Sequence, residues 1–226
     1  LHTVREARLP DGVTPVHGDI RDRDSLALAA AGAEVVFHLA ATVPGAARTV
    51  AEYRDVNVAG TANALDAAKK AGAFKFVHVS SVNVDLYARG LASDVYSKTK
   101  WEAESLVLKG SSGKMECIVV RSATVFGPGS RRSGRLIESF ARGRVWVLPV
   151  PSRRFCPVYS ADLGTAVVQA AARGRPGNTY TIAGNCVTLR QFIDGLARVS
   201  GRRAPRFSIP GWLVTPGLSV AWAVRP

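Results

Sequence analysis

Apolar runs and amphipathic helical stretches alternate along most of this chain, and that rhythm leaves few folds open to it. Glu34–Leu39 is a short, nearly continuous apolar run, the pattern of a strand buried on both faces, and Phe74–Ser81 and Met115–Arg121 read as the next strands. Helical periods lie around them. A short Ala/Leu stretch can be capped by Asp24 or Ser25 and ended at Gly32. A long amphipathic helix is expected over Val50–Ala71, with Gly72 suited to its C-terminal cap, and another over Tyr96–Leu108. Val13–Ile20 reads as a further strand. Strands joined by crossover helices lie parallel, so the expected fold is α/β, a Rossmann-like doubly wound parallel sheet with helices on both faces. The 226 residues, 47% hydrophobic, suffice for one sizeable core with a small appended lobe.

Beyond Phe126 the rhythm loosens. Gly127-Pro128-Gly129 is a turn and Ser130–Gly134 a basic, flexible stretch. A helix (Leu136–Arg142), two strands (Val145–Leu148, Val158–Tyr159) and a helix (Ala161–Ala172) follow, then a late strand at Thr179–Ala183. Thr188-Leu-Arg-Gln191 has the form of a capping box and opens a helix ending near Gly201.

The formal charge of +13 could signal nucleic acid or anionic lipid. Its Arg and Lys are mostly scattered, with short clusters only at Arg131-Arg132, Arg153-Arg154 and Arg202-Arg203, and no recognition module or zinc-finger spacing accompanies them. Solvated surface charge with an attraction for phosphorylated ligands is the better reading, and a nucleic-acid partner is not expected. No apolar run reaches membrane-spanning length; Ile209–Val224 comes closest and is broken by Pro and Gly. Three cysteines without a C-x-x-C pair argue against disulfide scaffolding and zinc, and for a reducing, cytoplasmic compartment.

The chemistry is concentrated around Tyr96-Ser97-Lys98-Thr99-Lys100, which follows a strand ending in Ser80-Ser81. On a helix, residues four apart lie one turn above each other. A Lys100 ammonium there favours the Tyr96 phenolate and draws its pKa down from about 10. A Tyr so tuned can exchange a proton with a substrate oxygen, and a Ser hydroxyl at the strand end can hold that oxygen. His38, ending an apolar strand, reads as a satisfied core histidine. Asp162 is as well placed for an N-cap as for an acid.

Together these segments resemble the extended short-chain dehydrogenase/reductases, a group that includes nucleotide-sugar epimerases and dehydratases, 3β-hydroxysteroid dehydrogenases and dihydroflavonol-type reductases. The resemblance runs from about Val4 to about Ala197. It implies an enzyme moving hydride between a nicotinamide, NAD or NADP, and a carbon of a small molecule: a nucleotide sugar, or a steroid- or flavonol-like alcohol. Tyr96 would be the general acid/base, Lys100 its partner and a ribose ligand, and Ser81 (or Ser80) the residue holding the reacting oxygen.

Gly18-Asp19-Ile20 resembles the adenine-contacting strand end, and Leu39-Ala40-Ala41 the strand end that backs the pyrophosphate and ribose. Asn57 in Asn57-Val-Ala-Gly-Thr61 resembles the framework residue. Ser122 and Val125, in Arg121–Gly129, resemble the nicotinamide-side loop. Arg5, at the expected end of the second strand, would favour the 2′-phosphate of NADP. A homodimer through the helices at Val50–Ala71 and Tyr96–Leu108 is also implied.

The expected division is a dinucleotide-binding domain over 1–126 and a substrate lobe over 127–226, with 155–183 returning to the sheet. The family's opening Gly-x-x-Gly-x-x-Gly is not in the 226 residues, so the first βα unit is expected to be missing. A non-catalytic nucleotide sensor or scaffold on the same fold is the alternative this leaves open.

Overall fold

The computed structural model describes residues 11–47, 49–128 and 130–209. Described residues up to Arg121, with Val167–Thr181, form one compact unit; Ser122–Ala166 and those from Ile182 onward form a second.

The first unit opens with helix α1 (Arg23–Ala30). Its cap is Asp22, whose carboxylate accepts from Asp24 N–H, two residues ahead of the nearer expected cap. Ser25 is instead used inward: its hydroxyl bonds the Asp19 and Asp22 carbonyls. Val13–Ile20 does not form the expected strand. A strand exists only through a paired neighbour, and no described residue pairs with this segment.

Strand β1 (Val35–His38) pairs in parallel with β2 (Lys75–Ser81), with His38 opposite His78. Strand β3 (Glu116–Ser122) and the late strand β8 (Thr179–Ile182) complete the sheet in the order β1-β2-β3-β8. The fold is thus the expected α/β class. The long helix at Val50–Ala71 forms, but in three parts: α2 (Val50–Arg54), a π-turn over Asp55–Ala59, and α3 (Gly60–Lys70). Gly72 follows at φ +76°, the left-handed conformation that ends a helix most cheaply at glycine. The interval between Ser81 and Tyr96 holds a short helix, α4 (Asn83–Ala88), before α5 (Val95–Gly110).

The core of this unit joins Ala64, Leu65 and Ala68 of α3 to Phe76 of β2, Val107 of α5, and Cys117 and Val119 of β3. Arg121 near the end of β3 ties that strand to two helices: its guanidinium bonds Glu104 of α5 through Nε (3.0 Å to Oε2) and Nη2, and Asp85 of α4 through Nη1.

In the second unit, β4 (Thr124–Phe126) pairs in parallel with β7 (Pro157–Tyr159), and β5 (Val147–Pro149) with β10 (Phe207–Ile209). Helices α6 (Arg131–Ala141) and α8 (Leu189–Ser200) enclose Phe140, Val145, Leu148 and Ile193. The stretch at Ser130–Gly134 is therefore the start of a helix, not a flexible segment. It is drawn into the helix by the inward face of Leu136 and Phe140, while the Ser133 hydroxyl bonds Val125 O at 2.9 Å. The Thr188 capping box forms as expected, with Thr188 Oγ1 accepting from Gln191 N–H and Gln191 Oε1 from Thr188 N–H. Asp162 is not a cap: α7 (Ser160–Arg173) begins directly after β7, and Asp162 lies inside its first turn.

Cysteine use differs from expectation. Strands β6 (Arg154–Phe155) and β9 (Val187–Thr188) are antiparallel, with Phe155 opposite Val187. The next residues along that ladder, Cys156 and Cys186, form a disulfide with Cα atoms 4.0 Å apart. A pairing 30 residues apart leaves no local signature. The cysteine count therefore no longer argues for a reducing, cytoplasmic compartment.

Candidate active site

The site lies at the carboxyl end of β2, where its last residues meet the first turns of α5. Asp94 caps α5: its carboxylate accepts from Ser97 N–H at 2.9 Å and from the Ser97 hydroxyl at 2.6 Å. This fixes the first turn, which carries Tyr96, half-buried, with Lys100 one turn further on. Lys100 is 2% exposed. Its ammonium donates to Val79 O at 2.9 Å and lies 3.4 Å from His78 Nε2. Burial draws the Lys100 pKa down to about 8, against the opposing pull of Glu104. Ser80 and Ser81, the last residues of β2, are both buried. Ser81 Oγ accepts from Asn83 N–H at 3.2 Å. The serines thus close β2, Lys100 is bonded to the same strand two residues earlier, and Tyr96 stands one turn before Lys100 on α5.

The neighbouring strand end is held by Asn57. The π-turn turns this side chain inward, where it is 1% exposed. Its Oδ1 accepts from Thr42 N–H at 2.7 Å, and its Nδ2 donates to Thr42 O at 3.2 Å and Thr99 Oγ1 at 3.1 Å. Asn57 thus ties the loop after β1 to α5. That loop carries Leu39, 61% exposed, Ala40, exposed, and Ala41, half-buried.

Gly60 adds to this framework by having no side chain. A Cβ there would lie 2.8 Å from the Ile20 side chain, so Ile20 is a packing partner of α3. Asp19 is occupied by Arg21, whose Nε donates to Oδ1 at 2.9 Å; with the Arg21 amide this holds the Asp19 pKa well below the carboxylate range. Ser122 and Val125 belong to the second unit, as the last residue of β3 and the middle of β4. Arg5 lies outside the described residues.

Four side chains that support this site are given no role by the sequence: His78, Thr42, Thr61 and Thr99, the last two lying inside the Asn57–Thr61 and Tyr96–Lys100 segments. The nearest signal for Thr61 and Thr99 is spacing, one turn beyond Asn57 and three residues beyond Tyr96. His38 is buried as expected; its Nε2 meets Thr61 Oγ1 at 2.9 Å, and burial lowers its pKa to about 3. Among the described residues no cluster of His, Cys, Asp or Glu could hold a metal ion.

Residues 3–186 match the 3-beta hydroxysteroid dehydrogenase/isomerase family. The chain belongs to that family. It is 31% identical over 253 residues to a 3 beta-hydroxysteroid dehydrogenase/Delta 5-->4-isomerase of Mycobacterium tuberculosis, covering 95% of this chain and 68% of that protein. It spans 63 to 68% of the length of the first curated relatives it matches.

Among solved structures, MoeE5 in complex with UDP-glucose and NAD superposes with a TM-score of 0.70 at 25% identity, over 86% of this chain and 71% of that one. RMD from Pseudomonas aeruginosa, complexed with NADPH, gives 0.72 at 24%, over 91% and 78%. The resemblance to extended short-chain dehydrogenase/reductases is thereby established, and the family is one of enzymes.

Proposed function

We propose that the protein is an NAD(P)-dependent oxidoreductase acting on a hydroxyl or carbonyl carbon of a small alcohol, with a 3β-hydroxysteroid-like substrate class. What supports this reading is the placement of Ser81 at the carboxyl end of β2 and of Lys100, which donates to Val79 O of that strand from one turn beyond Tyr96 on α5. The residues present fit a dinucleotide: beside that strand end, the loop after β1 offers small or exposed residues on a backbone pinned by Asn57. A bound nicotinamide supplies the hydride acceptor or donor. Tyr96 Oη takes the proton from, or returns it to, the substrate oxygen. The Lys100 ammonium stabilises the phenolate that this requires. Ser81 accepts from Asn83 N–H, which leaves its own O–H to donate to the same oxygen. The second strand end, at Leu39–Ala41, would lie along the dinucleotide.

The relatives' names favour a steroid or sterol over a nucleotide sugar. For the cofactor we assign NADP, because Arg5 offers a planar charged fork to a 2′-phosphate. For assembly we assign a homodimer through α2–α3 and α5.

The test uses the full chain with a 3β-hydroxysteroid and either NAD or NADP. Tyr96→Phe should cut turnover by orders of magnitude and leave dinucleotide affinity nearly unchanged, since it removes transition-state stabilisation alone. Wild-type turnover by Tyr96→Phe refutes the assignment. Tighter binding of NAD than NADP refutes the cofactor preference, and a strict monomer by light scattering at micromolar concentration refutes the dimer.

A further inference from the structure

We propose that His78 is a positioning residue for Lys100: its neutral imidazole, protonated on Nδ1, presents Nε2 as an acceptor that anchors the Lys100 ammonium to strand β2. The observation lies in the donor count. An ammonium has three donors and no acceptor, so a ring nitrogen facing it can only accept. His78 Nε2 is 3.4 Å from Lys100 Nζ, and Val79 O, one residue along the same strand, takes a second donor at 2.9 Å. The strand thus holds the ammonium at two points, one turn of α5 beyond Tyr96.

The surroundings keep His78 neutral. It is fully buried, and its Nδ1 has no partner among the described residues. Burial first, then the charge of Lys100 and the His38 ring, push its pKa well below the ordinary value. The titratable groups acting on it are Lys100 on α5 and His38 on β1, whose ring stacks on it at 5.1 Å, and Glu104 acts in turn on Lys100. The tautomer of His38 follows from the same counting. Thr61 Oγ1 donates its only proton to Asn57 O at 2.7 Å, so it must accept from His38 Nε2–H. The two stacked rings therefore carry their protons on different nitrogens, and only His78 faces the lysine.

This deepens the proposed Tyr96/Lys100 chemistry and rests on it for its catalytic meaning, but neither arm of the test needs turnover. In the full chain labelled with ¹⁵N, long-range proton–nitrogen correlation should show His78 as the neutral Nδ1–H tautomer at pH 7, and still neutral at pH 5. An Nε2–H tautomer or an imidazolium at pH 7 overturns the proposal. In chain labelled at lysine ¹³Cε, Lys100 should titrate lower in His78→Leu by about one pH unit, because a bond to the charged form is lost. His78→Gln, which keeps an acceptor, should restore the wild-type midpoint. Equal midpoints in wild type and both variants overturn the proposal. If His78→Leu does not fold, the wild-type tautomer decides. Failure of the catalytic reading would instead appear as activity in Tyr96→Phe with these spectra unchanged.

Discussion

Replacing Asn57 with Ala should destabilise the protein more than any other single polar substitution near the site. The side chain makes three hydrogen bonds in a fully buried position, at 2.7, 3.2 and 3.1 Å. Alanine leaves Thr42 N–H and Thr42 C=O without those partners, and Thr42 is itself buried. An unsatisfied buried group costs about 1–3 kcal/mol. Thr99 loses less, because its hydroxyl still donates to Tyr96 O at 3.0 Å. Two orphaned backbone groups therefore set the scale, and the expected loss is about 2–6 kcal/mol.

Asn57→Asp separates the two halves of the clamp. It keeps an acceptor for Thr42 N–H but turns the Nδ2 donor into an oxygen facing Thr42 O, so it should be no better than Ala. The assay is chemical denaturation of both variants, with amide exchange at Thr42 as the local reading. A loss below about 0.5 kcal/mol in Asn57→Ala, the range of an ordinary surface change, would refute the clamp. Unchanged protection of the Thr42 amide would refute it as well.

Three further outcomes are expected. Arg121→Met strands Glu104, whose side chain is 4% exposed, and should cost about 3 kcal/mol, whereas Arg121→Met with Glu104→Leu should recover part of that loss in the same denaturation assay. Cys156→Ser opens a loop closed across 30 residues and should cost about 3–4 kcal/mol, and treating wild type with a dithiol reductant should reproduce the loss. His38 is held neutral in the fold, with its pKa lowered to about 3, while the unfolded chain protonates it near 6.5; stability should therefore fall as pH drops from 6.5 toward 3, and His38→Leu should flatten that slope in denaturation curves taken across the range.

Much of the first unit was legible because its signals are local. Lys75–Ser81 is marked as a strand by its Phe76-Val77 and Val79 positions, and residues on both of its faces are buried. Tyr96 and Lys100 share a helix face by spacing alone. What stayed hidden depends on partners distant in sequence. Val13–Ile20 has strand composition, but composition supplies no neighbouring strand. The π-turn at Asp55–Ala59 leaves the amphipathic pattern of Val50–Ala71 intact and shows only in where it sends Asn57. Arg121 reads as part of a nicotinamide-side segment, yet its guanidinium is committed to Glu104 and Asp85.

Charge shows the same division between what is local and what is not. Ser122–Ala166 and Ile182–Ile209, the described span of the second unit, carry twelve arginines, no lysine and three acidic residues. The first unit is close to balanced. Read as a total, +13 suggests a polyanion bound anywhere on the surface; read by unit, the excess belongs to the expected substrate lobe and not to the unit that carries Tyr96. A concentrated cationic field draws in an anionic ligand by raising its local concentration, an effect that salt weakens. It does nothing for a neutral steroid nucleus. If the substrate is a neutral sterol, kcat/KM should therefore be nearly independent of ionic strength; if it carries a carboxylate, sulfate or phosphate, kcat/KM should fall as salt rises while kcat holds.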